Sequence, residues 1–297
     1  MKTPPNLKKG DCIAIVATAR KVNLNDLQDA IQLAESWGLQ VEIGSSIGLS
    51  NNQLAGTDAE RAADFQKQIN NPKIKAIWCA KGGYGSVRIL DLIDFSPLQH
   101  QPKWIVGYSD VTAIHAHLQN LGIASLHAQM PVGIASKSNA SASTLRGVLF
   151  GEQQVYTFRN HSYNVTGEVA APLIGGNLSV LYSLCGSKSF PQQKKVILLF
   201  EDLDEYLYHI DRMMQNLKRN GLFSNLSGII IGGMTEMNDN EIPFGSTAEQ
   251  IIQEYVGHLA IPVAYGAPFG HQFENLALPL GKTIHLKVDK DKSEIQF

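Results

Sequence analysis

The sequence predicts an α/β protein whose first half is a mostly parallel sheet with helices on both faces. Three observations carry this. Strand-like and helix-like segments alternate through the first half, which is the rhythm of βαβ units. Two strand candidates end in turns rich in glycine or carrying a serine, the edge where parallel sheets hold ligands. A polar stretch then breaks the rhythm, so a second α/β domain is expected beyond it.

Taken in order, residues 11–17 are an apolar run and read as a buried strand. Residues 25–38 form an amphipathic helix with Leu27, Ile31 and Ala34 on one face and Gly38 as its stop. A second strand covers 39–43. Thr57-Asp-Ala-Glu60 is a capping box that opens a helix through Ile69. Residues 74–80 are a third strand, running into Gly82-Gly-Tyr-Gly85 and a helix from Ser86 to Ile93. Lys103-Trp-Ile-Val-Gly-Tyr-Ser109 is a strand and tight turn, with a helix to Asn120. Around 151–168 the chain turns polar, with Gln153, Gln154, Arg159, Asn160, His161 and Asn164. The expected division is a first domain over 1–155, a linker over 156–167 and a second domain over 168–297. In the second, a helix is expected over 178–185, a strand over 195–200 and a helix over 206–220. A strand over 226–233, a helix over 247–259, an extended stretch over 261–265 and an alternating strand over 282–289 complete it.

Composition narrows the function. A chain of 297 residues with 44% hydrophobic residues can bury one large core or two moderate ones. The net charge of −2 and the lack of basic runs give no reason to expect nucleic acid or an anionic membrane. No run of 18 apolar residues suggests a membrane span, and the first residues lack the apolar stretch of a signal peptide. Three widely spaced cysteines argue for reduced thiols and a cytoplasmic protein. No Cys-x-x-Cys or His-Glu-x-x-His spacing points to a metal, and no cofactor is expected.

The chemistry converges on Ser109. A serine in a strand-to-helix turn has the setting of a nucleophile elbow, although Val111 stands where Gly-x-Ser-x-Gly would place its last glycine. Ser109 or Asp110 could instead cap the helix. A serine nucleophile needs a base, an orienting acid and an oxyanion site. Glu201 directly follows an apolar strand, and His271 follows Pro268-Phe-Gly270. Glu201 also belongs to an acidic cluster suited to a helix N-terminus, and His271 is one of nine histidines. His127, after another apolar strand, is a rival base. His115 and His117 stand two apart on a helix and face different ways. The Gly82–Gly85 loop lacks the Lys-Ser/Thr of a Walker phosphate site, so its bared amides could serve an oxyanion or form a plain turn.

Five blocks occur in a fixed order: Gly82-Gly-Tyr-Gly-Ser-Val-Arg88, Gly107-Tyr-Ser-Asp110, Gly175-Gly-Asn-Leu178, Glu201-Asp-x-x-Glu205 through Asp211-Arg-Met213, and Gly270-His-x-x-Glu-Asn-x-x-Leu-Pro279. Together they resemble the LD-carboxypeptidase family of serine peptidases, which includes murein tetrapeptide carboxypeptidases and microcin C immunity hydrolases. The resemblance spans nearly the whole chain from Leu7. It implies a Ser109–Glu201–His271 triad and an oxyanion hole of backbone amides, assigned here to Asp110 and Gly83. It implies an N-terminal αβα domain with the serine, a smaller C-terminal domain with acid and base, a site in the cleft between them, and a homodimer. The implied substrate is a cytoplasmic murein peptide, with terminal D-alanine released during cell-wall recycling. Tyr84, Arg88 and Asn177 are the expected substrate contacts. Arg88 suits the substrate carboxylate or, equally, a brace for the glycine loop. Ala17-Thr-Ala-Arg20 stands where members often carry Pro-Ser, and His127-Ala-Gln-Met130 replaces a frequent His-Gly-Pro-Met. A microcin-type hydrolase, which would want a cleft aromatic to stack on a base, and a non-catalytic binding protein on the same fold are the alternatives.

Overall fold

The computed structural model describes residues 1–297. Its strands in chain order are β1 (Cys12–Val16), β2 (Gln40–Ile43), β3 (Ile74–Cys79), β4 (Trp104–Gly107), β5 (Ser125–His127), β6 (Val155–Arg159) and β7 (Gly167–Asn177). Then follow β8 (Val196–Leu203), β9 (Leu226–Thr235), β10 (Val263–Ala264), β11 (Leu278–Leu280), β12 (Thr283–Val288) and β13 (Lys292–Gln296). The helices are α1 (Gln28–Ser36), α2 (Asp58–Asn70), α3 (Ser86–Ile89), α4 (Pro97–His100), α5 (Thr112–Asn120), α6 (Asn139–Phe150), α7 (Leu178–Ser183), α8 (Leu207–Arg219) and α9 (Ala248–Val256).

Two sheets organise these elements. The first has the order β11-β5-β4-β3-β1-β2, parallel throughout except for β11. The second has the order β10-β9-β8-β7-β12-β13-β6. Its β10-β9-β8-β7 part is parallel and its β12-β13-β6 part antiparallel. Strands buried on both faces are apolar runs, as β4 and the Val196–Phe200 part of β8 are. Those with one wet face alternate, as β12 does with Ile284, Leu286 and Val288 buried. The capping box at Thr57 forms as its spacing predicts: Glu60 N–H donates to Thr57 Oγ1, and Thr57 N–H donates to Glu60.

Several elements differ from the sequence expectation. The segment expected as a linker, 156–167, carries most of β6, which pairs with β13 at the edge of the second sheet. Its polar residues mark an edge strand with one solvated face rather than a free connection. Strand β11 leaves the second half and adds to the first sheet, pairing Leu278 with His127. The helix expected over 86–93 is a short α3 followed by a 3-10 turn over Leu90–Leu92. Glu201 lies within β8, not after it.

The halves are not separately packed. One buried cluster runs from Phe65, Ile77 and Ile105 through Ile114 and Leu118 to Leu178, Met213 and Ile231. Helix α5, which follows Ser109, is therefore covered by residues of both halves. Asn177 N–H donates to Thr112 Oγ1 at 2.9 Å, which pins the end of β7 to the start of α5. No helix is long and apolar enough to cross a membrane.

Candidate active site

Strands β1, β3 and β4 are neighbours in the first sheet, so the loops leaving them lie side by side. Arg20, the Gly82–Gly85 turn and Ser109 belong to those three loops. Ser109 has φ +61, a left-handed conformation rare for a residue with a side chain. This is the backbone of an elbow, and it sets Ser109 apart from a simple helix cap. Helix α5 starts only at Thr112, after a single 3-10 turn over Ser109–Val111. A side-chain carbon placed on Gly82 would sit 3.2 Å from Ser109 Oγ, so the glycine leaves room beside the hydroxyl.

Asp110 has two separate roles to fill. Its carboxylate is buried and accepts Ser86 N–H at 2.8 Å, tying the elbow to the glycine turn. Burial pushes its pKa up. Its backbone N–H, and that of Gly83, donate to no protein group. Two unspent amides next to a serine are what an oxyanion site requires.

Across from them, Glu201 is fully buried and accepts two hydrogen bonds from one residue. His271 Nδ1 lies 2.7 Å and His271 N 3.0 Å from the same Oε2. Gly270 makes this approach possible: at φ +94 it takes a conformation that side chains resist, and a side-chain carbon there would collide with the Glu201 carboxylate. Burial by itself would raise the Glu201 pKa, but the charge and hydrogen bonds of His271 outweigh it and hold the group below the ordinary carboxylate value. Burial would likewise lower the His271 pKa. The Glu201 charge outweighs that too and holds the imidazole above its ordinary value. With Nδ1 engaged, Nε2 is the ring nitrogen left to act. It is not hydrogen-bonded to Ser109 Oγ in this structure; the ring of Tyr108, next to Ser109, lies tilted against His271 with 4.9 Å between centroids.

The other expected residues divide. Asn177 is buried, with its Nδ2 donating to Asp202 at 2.8 Å and, at 3.4 Å, to Glu201 Oε1. It orients the acid rather than opening to a ligand. Arg88 grips Asp58 through Nε and NH2 at 2.7–3.0 Å. These contacts tie it to the start of α2. Tyr84 stands exposed on the glycine turn. His127 is fully buried, with neither ring nitrogen hydrogen-bonded, and burial drives its pKa down to about 4. Its ring centroid lies 5.9 Å from that of Tyr108.

Sequence reasoning missed several supports. Arg61 is buried in α2 and donates to the Thr18 and Gly85 carbonyls while pairing with Asp58. Asp202 accepts Asn177 Nδ2 and Ser179 N–H at the start of α7; burial and the nearby Glu201 charge push its pKa up to about 7. Asn275, also buried, accepts Gly270 N–H at 2.9 Å and receives support from Ser141 and Gln129 of the first half. The Glu-Asn pair of the last sequence block was the signal available for Asn275. Arg61 had none, since a helical arginine three residues from an aspartate reads as a surface pair. No group of three or more His, Cys, Asp or Glu side chains is arranged to hold a metal ion.

The fold, two α/β sheets with Ser109 on one side and the Glu201–His271 pair on the other, is of the two-domain α/β class. Family models place it more narrowly: residues 13–128 match the LD-carboxypeptidase N-terminal domain and 170–286 the LD-carboxypeptidase C-terminal domain. The Bacillus subtilis "Probable murein peptide carboxypeptidase" is 31% identical over 284 residues, 94% of this chain and 89% of that protein. The Escherichia coli microcin C7 self-immunity protein is 26% identical, over 98% of this chain and 94% of its own length. Among solved structures, the muramoyltetrapeptide carboxypeptidase from Oxalobacter formigenes superposes with a TM-score of 0.87 at 26% identity, covering 96% of this chain and 98% of that one. The chain belongs to the LD-carboxypeptidase family and is a carboxypeptidase.

Proposed function

We propose that this protein is a serine LD-carboxypeptidase that releases terminal D-alanine from cytoplasmic murein tetrapeptides in cell-wall recycling. The observation that carries the reading is a strained serine at φ +61 beside a buried Glu201–His271 pair joined at 2.7 Å. Ser109 Oγ attacks the carbonyl of the diamino acid residue, and its proton passes to His271 Nε2. Glu201 holds Nδ1–H and stabilises the imidazolium, as the acid of other triads does. The Asp110 and Gly83 amides receive the carbonyl oxygen as it becomes negative. His271 then protonates the leaving amine of D-alanine. Water attacks the acyl-enzyme by the same route in reverse. The Ser109–His271 contact closes when substrate is seated, as catalytic hydrogen bonds commonly do.

All three tryptophans are buried, Trp104 with its Nε1 bonded to the Pro5 carbonyl, so a nucleobase would have to stack on another aromatic, such as the exposed Tyr84 of the glycine turn. We also propose the homodimer that the family resemblance implies. The test of function is chiral. L,D- and L,L-linked tetrapeptides ending in alanine are incubated with enzyme and the released alanine is measured by chromatography. Release from the L,D peptide should exceed that from the L,L peptide by at least ten- to a hundredfold, the effect of one lost charge-assisted contact, with misaligned attack adding to it. Equal rates would overturn the assignment.

A further inference from the structure

We propose that Arg20 reads the free carboxylate at the C-terminus of the substrate; the proposal rests on the carboxypeptidase reading above. A carboxypeptidase removes the last residue, so the carboxylate lies one residue, about 3.8 Å between Cα atoms, beyond the scissile carbonyl. A cation reading it must therefore stand beside the oxyanion amides. Arg20 does. A side-chain carbon on Gly83 would sit 2.5 Å from Arg20 Cδ and Nε, so the arginine stem lies against that glycine. Gly82, its neighbour, meets Ser109 in the same way. Arginine and serine thus flank one two-glycine turn. Gly83 has φ +103, which favours glycine independently of the arginine.

Arg88, Arg61 and Lys137 are engaged elsewhere, whereas Lys81, next to Gly82, has no ion pair or side-chain hydrogen bond and is the competing cation that experiment must separate from Arg20. Arg88 and Arg61 share Asp58, and Arg61 also holds two carbonyls. Lys137 Nζ donates to the Gln272 carbonyl at 2.6 Å. Arg20 is exposed and has no ion pair or side-chain hydrogen bond, so its planar fork is available for a bidentate carboxylate. Its backbone is held in place. Ala55 N–H donates to Ala19 O at 3.0 Å, Lys21 N–H to Gln53 O at 2.9 Å, and Arg20 bridges to Leu54. Arg20 also closes the Ala17-Thr-Ala-Arg20 segment that departs from the usual Pro-Ser.

The experiment separates this proposal from its parent. Binding is measured by calorimetry on Ser109→Ala protein, with and without Arg20→Ala. The two ligands are an L,D-tetrapeptide ending in free D-alanine and the same peptide as its C-terminal amide. With Arg20 present the acid should bind about ten- to a hundredfold tighter than the amide. Arg20→Ala should bring the two affinities together, Arg20→Lys should keep part of the preference, and Lys81→Ala should leave it whole. An acid preference that survives Arg20→Ala overturns the proposal. So does an equal weakening of both peptides, which would place Arg20 at the oxyanion or the fold instead, and so does failure of the acid to bind. Turnover by the wild-type enzyme is read separately: no D-alanine released defeats the parent reading, while the binding ratio still decides Arg20.

Discussion

The two sides of the cleft hold their chemistry by different means. On the first-half side, Ser109 is placed by its backbone: a strand ends, one residue turns left-handed, and the hydroxyl stands free of hydrogen bonds to side chains. On the second-half side, Glu201 and His271 come from segments 70 residues apart and are fixed by side-chain hydrogen bonds in a buried setting. A nucleophile must be exposed and mobile enough to attack. The acid–base pair must be desolvated so that its charges act on each other strongly. The contrast predicts that changes at Ser109 act on chemistry alone, whereas changes at the pair also move titration and stability.

The largest effect should come from Ser109→Ala. Loss of a triad nucleophile can lower kcat on the order of a million-fold. Because the hydroxyl packs against little, thermal unfolding should stay close to wild type. Retention of more than roughly a tenth of wild-type kcat, which the loss of such a nucleophile forbids, would break the comparison on its first-half side.

Glu201→Gln comes next. Removing the orienting acid should lower kcat by something on the order of 10⁴-fold. It should also move the acid limb of the pH profile. His271 must be neutral to accept a proton, so activity falls as pH drops through its pKa. Glu201 holds that pKa above the ordinary histidine value. Without the carboxylate, burial is left to lower it, and the limb should shift to lower pH. A limb that moved up, or stayed, would show that His271 is not the titrating base.

His127→Ala sharpens the same point. A fully buried imidazole whose pKa burial drives down to about 4 is a packing residue. Its loss should keep kcat within roughly tenfold of wild type, well short of the 10²–10⁴ contributed by a general base. His271→Ala in parallel should show the full loss, and the reverse pattern would exchange the two roles. The smallest effect should be Thr247→Ala in the capping box of α9, far from either side. Its unfolding free energy should fall by about 1 kcal/mol with kcat unchanged.

The same contrast explains what could be read without a structure. The strand-turn-helix at Ser109, the capping box at Thr57 and the alternation of β12 are local patterns, and local backbone preferences wrote them into consecutive residues. The parallel first sheet followed from the same kind of signal. Glu201 and His271 were legible as candidates from their places after strand-like segments, but only the ordered sequence blocks joined them, since nothing in either neighbourhood announces the other. Arg88 illustrates the limit: its charge and loop position suited two parts equally, and its contact with Asp58, 30 residues away, could not be read from the sequence. Arg20 was noticed only as a departure from a common pattern.

By itself, then, the sequence determined the class of fold and the parallel first sheet and nominated residues for chemistry, because these depend on periodicity, turn preference and side-chain type. Tertiary structure decided the edge pairing of β6, the passage of β11 into the first sheet, the buried Arg61 under the glycine turn and the 2.7 Å approach of His271 to Glu201. Each of these joins residues distant in the chain, and burial and charge pairing exist only once folding has brought such residues together.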